Sequence, residues 1–142
     1  MTILETVSEI VDKIREPLGL DRWQIQTVSE PLEDARACCI AQPEYLDVVI
    51  KIDPDKLQTG DDLQELVVHE VTHLRTWEIH TLAEELANAL AESTPETHRE
   101  PLRKLLLEKV RQAGERATTD VGHDYLRLLR RAGVLDSPPL EG

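Results

Sequence analysis

The chemistry-bearing residues of this 142-residue chain are His69 and His73, four apart, with Glu70 directly after the first: His69-Glu70-Val71-Thr72-His73. On an α-helix, residues four apart lie on one face, one turn above the other. Two imidazoles so placed can hold one Zn²⁺ at about 2.0–2.1 Å each. Glu70, one helical step from His69, reaches past such an ion to a water without being a ligand itself. That is the arrangement metal-assisted hydrolysis requires. A random string of this composition, with 5 His and 17 Glu, would contain the pattern about 2% of the time.

The pattern needs a helix to carry it. Leu63, Leu66, Val67, Val71 and Leu74 recur at helical spacing around it, so the carrier helix packs into a core. Thr59 or Asp61 is expected to cap it, with Gly60 loosening its entry. Upstream, Thr2 to Glu16 reads as a first helix, opened by a Thr2/Glu5 capping box and closed by Pro17 and Gly19. Trp23–Val28, Arg36–Ala41 and Tyr45–Asp53 alternate as strands, and in the last of them Leu46, Val48, Ile50 and Ile52 face one way. They imply a small three-stranded, mostly antiparallel sheet covered on one face. Downstream, Thr76 to His80 interrupts the apolar stripe and is expected to bend. Helices over 81–91, from Pro101 to Gly114 or beyond and from Thr119 or Asp120 to Gly133 follow, with Leu102, Leu105, Leu106, Val110, Tyr125, Leu128 and Leu129 inward and Leu126 a further candidate. The fold class is α+β. A single domain is expected over 1–134, with the chemistry in 23–91, C-terminal helices over 97–132 and a flexible tail over 135–142.

The length suits one compact domain. Charged residues make up 31% and the hydrophobic set 40%, an ordinary globular balance, but with no Phe the core must be built from Leu, Val, Ile and Ala. No apolar run approaches the roughly 18–20 residues of a membrane span. The N-terminus lacks the basic and cleavage features of a signal peptide. Cys38 and Cys39 are adjacent, so in a strand they point to opposite faces and do not bridge. With no C-x-x-C pair there is no zinc ribbon, and a reducing, cytoplasmic setting is expected. The net charge of −12 is uneven: residues 97–131 carry 9 basic and 5 acidic groups against an acidic remainder. Those basic helices either pack on the acidic body or meet an anionic partner, nucleic acid included.

A catalytic zinc site takes three protein ligands and an open position. The longer metzincin spacing fails, because Thr76 and Ile79 stand where it requires glycine and a third histidine, and His80 is one position late. Glu84 is the better third ligand, with Asn88 one turn on to support His69, and Glu85, Glu78 and His80 remain alternatives. A strand, an H-E-x-x-H helix and a following Glu84-Glu85-Leu86-Ala87-Asn88 resemble the gluzincin side of the zincin metallopeptidases. The chain is similar there, over about residues 23–91, to small ImmA/IrrE-like and phage-borne metallopeptidase-like proteins. The ten-residue link from His73 to Glu84 is short for that group. The resemblance implies a minimal zincin-like domain and a zinc-dependent peptidase with His69, His73 and Glu84 on the metal and Glu70 as general base. It also implies an extended peptide or protein substrate added along a sheet edge supplied by residues 36–52. His123, Tyr125 and Tyr45, and less so His98, are the oxyanion donors on offer. A zinc-binding protein without turnover is the alternative. SprT-like proteases join such a site to DNA binding, but this chain lacks their zinc ribbon.

Overall fold

The computed structural model describes residues 2–57 and 62–136. Helix α1 spans Ile3–Ile14 and opens as expected. The Thr2 hydroxyl accepts the Glu5 N–H at 3.1 Å, and the Glu5 carboxylate accepts the Thr2 N–H at 2.8 Å. Its buried face is Val7, Ile10, Val11 and Ile14, and Leu18 and Leu20 cover its end. Gly19, at φ +71°, makes the left-handed turn that sends the chain into the sheet.

Strands β1 (Gln24–Ser29), β2 (Ala37–Gln42) and β3 (Asp47–Ile52) form a sheet in the order β1-β3-β2. β2 and β3 are antiparallel and joined by a short 3₁₀ turn over Pro43–Tyr45. β1 pairs with β3 in parallel, so the sheet is mixed, one pairing of each kind. The crossover from β1 to β2 passes over the end of β3 and is held there by Asp53. This buried carboxylate accepts the N–H of Leu32 at 2.9 Å and of Asp55 at 3.1 Å. Val48, Ile50 and Ile52 face the core as their alternation requires. Leu46 does not: it turns the chain in the left-handed region at φ 53° and is exposed.

Two long helices make up the rest. α2 runs unbroken over Leu63–Glu92, 30 residues, and α3 over Glu96–Arg131, 36 residues. Asp62 caps α2, its carboxylate accepting the Glu65 N–H at 3.1 Å. The proposed caps Thr59 and Asp61, with Gly60, lie outside the described residues, as does most of the expected tail. The bend expected at Thr76 to His80 is absent, and the helices expected over 101–114 and 119–133 are one element. α3 opens at Glu96 behind Pro95 and carries Pro101 inside its second turn. α1, the sheet and residues 63–74 of α2 enclose the core with Leu126, Leu129 and Leu135. Beyond it the two helices continue as a hairpin arm, where Leu105 is exposed rather than inward. Leu128, nearer the body, is exposed too. No helix among the described residues is long and apolar enough to cross a membrane.

Candidate metal centre

The first four turns of α2 have two working sides. Val67, Val68, Val71 and Leu74 turn into the core, while His69, Thr72, His73 and Thr76 turn toward α3. The helices are tied at both levels of this seam. Arg130, near the end of α3, donates to Asp62 at 2.7 Å and to Gln64 at 2.9 and 3.0 Å. Thr72 is fully buried and spends its hydroxyl on the Val68 carbonyl at 2.6 Å. Thr76 meets Thr118 at 3.2 Å. Gly122 is buried at a close approach of the two helices, where a Cβ would lie 3.5 Å from Thr72 Oγ1 and 3.7 Å from His69 Cα.

Against this seam the two imidazoles stand edge to face, with centroids 5.0 Å apart and planes at 89°. Ligand atoms of His69, Glu70 and His73 lie within 4.8 Å of one another. A further carboxylate arrives from α3. Glu115 Oε2 is 3.5 Å from His69 Nε2, and Glu115 Oε1 is 3.5 Å from His73 Nε2. Hydrogen bonds of this kind are about 2.7–3.2 Å long, so these contacts are too long. Each histidine faces a different Glu115 oxygen, at a separation close to the ~3.3–3.4 Å between tetrahedral donors with bonds near 2.0–2.1 Å. Two imidazoles and a carboxylate suit a divalent transition ion, zinc among them, and the residues fit a metal.

The protonation states agree with that fit. Burial, reinforced by His69 and opposed by Glu115, lowers the pKa of His73, which favours the neutral ring a metal requires. Glu70 is only 6% exposed. Burial first and the neighbouring Glu115 second push its carboxyl up to about 7. Glu70 also raises the pKa of both Cys38 and Cys39, behind burial, which places it toward β2. The two cysteines are free thiols.

The structure brings together His69, Glu70 and His73 but not Glu84. Because α2 does not bend, Glu84 lies eleven residues beyond His73, about 16 Å farther along the axis. Its carboxylate pairs instead with His80 Nε2 at 2.6 Å. Asn88 is about 28 Å along the same rod from His69 and cannot orient it. His80 packs on the α3 backbone, where a Cβ on Gly114 would sit 2.7 Å from its Nδ1, and Glu78 and Glu85 are exposed on the arm. The carboxylate facing the histidines is Glu115, which sequence reasoning missed. The available signal was Glu115, Thr118 and Gly122, small or polar residues at helical spacing that mark a close helix contact without saying which helix is the partner.

A cavity of about 540 Å³ adjoins the site, lined by residues that include Arg36, Glu65, His69, Glu70 and His123. His123 Nε2 contacts Glu65 Oε1 at 2.9 Å. Of the oxyanion donors considered, only His123 lines this cavity. Tyr45 is 71% exposed in the turn before β3, Tyr125 packs on the core, and His98 lies about 25 Å along α3 from Glu115. β2 is an edge strand, and Ala37 at its start also lines the cavity. No protein-family model matches the chain, and neither do any curated protein or solved structure.

Proposed function

We propose that the protein is a metal-dependent peptidase, with zinc as its ion, held by His69, His73 and Glu115. The observation that carries this reading is the meeting of the two histidines with Glu115 across the α2–α3 seam, beside a buried Glu70. When bound, the ion would polarise the scissile carbonyl and acidify the attacking water. Glu70 takes the proton from that water and returns it to the leaving amine. In the metal-free protein burial raises the pKa of Glu70 to about 7, and a bound cation would lower it from there toward the carboxylate a general base must be. Its burial keeps bulk water from competing for the proton. Of the oxyanion donors named from the sequence, His123 is the one at the cavity, with its Nε2 against Glu65.

The substrate is an extended peptide. β2, the edge strand next to Glu70, leaves one row of backbone groups for it to pair with, and Arg36 and Ala37 lead from that strand into the cavity. The two free thiols suit a reducing, cytoplasmic setting. Nucleic acid draws less support as a partner. Arg99, Arg103, Arg111, Arg127 and Arg130 are all engaged with acidic groups of the same chain, so much of the basic character of α3 is spent internally.

The test is Glu70→Gln. The variant should keep its metal and lose about 10²–10⁴ of its rate on an unfolded protein substrate, the range a general base contributes. Equal cleavage by the variant would sink the mechanism.

A further inference from the structure

Val68 and Val71 belong to a stripe of α2 that packs on the body, and the stripe does not stop where the body does. It passes Arg75, which lies over the Gly19 turn, and continues at the same three- and four-residue spacing as Ile79, Leu82, Leu86 and Leu90. These four side chains are 56–74% exposed. Singly exposed leucines are ordinary, but four on one side of one helix form a patch. The arm is internally closed through Ala87 and Ala91, both buried, so α3 does not cover this side of α2.

The rim of the patch is acidic. Glu78 and Glu85, seven residues apart, run along its outer side, and among the described residues neither has an ion pair. We propose that this face of the arm receives an amphipathic helix of a partner protein, with apolar residues on the stripe and lysine or arginine over Glu78 and Glu85. Ile79 to Leu90 spans about 16 Å, so the docked segment is three to four turns long. A second copy of the chain fits less well. Laid head to tail, the arms set Glu78 and Glu85 of one copy along the same residues of the other. Laid side by side with their bodies at one end, each sheet and α1 occupy the space the other's helices need.

The probe is a pair of synthetic helical peptides of about 16 residues, both with leucine on one face, one flanked by lysine and the other by glutamate. Binding to the full chain is followed by fluorescence anisotropy of a dye carried on the peptide. The lysine peptide should bind at least ten-fold more tightly. Leu82→Asp/Leu86→Asp should abolish that binding while leaving helix content and metal content unchanged. Glu78→Lys/Glu85→Lys should reverse the preference between the peptides, although the chain as a whole stays acidic. Equal binding of the two peptides, or a preference that survives the charge reversal, overturns the proposal. A sedimenting dimer that Leu82→Asp/Leu86→Asp converts to monomer also overturns it, and assigns the face to a second copy.

Discussion

Glu115→Gln, measured beside Glu84→Gln, separates two descriptions of the metal site. If Glu115 is a ligand, the substitution keeps an oxygen in place and removes one negative charge from about 3 Å of a divalent ion. Even at the dielectric of water, that interaction is worth about 2.8 kcal/mol, a hundred-fold in Kd. A lower local dielectric would enlarge the loss. Glu84 lies about 16 Å along α2 from His73. At that range the same charge contributes about 0.5 kcal/mol unscreened and under about 0.1 kcal/mol at physiological salt, a change in Kd of less than a fifth. The assay is competition for Zn²⁺ against a chromophoric chelator, with bound metal verified by elemental analysis. A weak Glu84→Gln variant beside an unaffected Glu115→Gln would refute the site as described and require α2 to bend. Two unaffected variants would leave the histidines without a protein carboxylate.

Other outcomes follow from the same geometry. Gly122→Ala should raise stability by about 0.5–1 kcal/mol, read as a few degrees in Tm, because the new methyl makes only ordinary contact and the helix gains propensity. Gly122→Leu overfills the same spot, should cost about 1–3 kcal/mol in urea unfolding, and should weaken Zn²⁺ binding by moving α3 away from His69. In the metal-free protein, the unfolded chain releases the Glu70 proton near 4.5 and the fold only near 7. Between those values the fold holds the extra proton, so stability should fall as pH rises, by up to about 3 kcal/mol, and this part of the slope should vanish in Glu70→Gln. Leu126→Ala, in the core below the seam, should cost about 2–5 kcal/mol in the same unfolding assay without changing Zn²⁺ stoichiometry.

What could be read from the sequence was what local physics dictates. The Thr2/Glu5 capping box, the buried faces of α1 and β3 and the helical stripe around His69 each follow from spacing alone, and each is where that spacing puts it. Leu46 broke the alternation because a Pro43 turn needs a residue to reverse the chain, and the left-handed φ falls there. The parallel pairing of β1 with β3 was hidden because strand order depends on a crossover that Asp53 fixes by long-range hydrogen bonds. The expected bend at Thr76 to His80 rested on the loss of a core-facing stripe. A helix leaving the body as an arm has no core to face and needs only α3 to remain folded. That one misreading set Glu84 beside the histidines, where the fold instead places Glu115. A side chain supplied across a seam has no fixed distance in sequence from its neighbours, so spacing could not point to Glu115.

With an ion bound as proposed, the seam would act like a cross-link. His73 and Glu115 are joined through the turn between α2 and α3, and an ion gripping both closes a loop of about 42 residues. In a chain-entropy treatment, such a closure removes about 4 kcal/mol of freedom from the unfolded ensemble, comparable to a disulfide spanning the same interval. It does so without cysteine oxidation, and a chelator reverses it. A slip of one residue between the helices would carry Glu115 about 1.5 Å along the axis and rotate it about 100° off the histidines. An ion held there would therefore add a pin to the register that Arg130, Thr118 and Gly122 already set between the two helices.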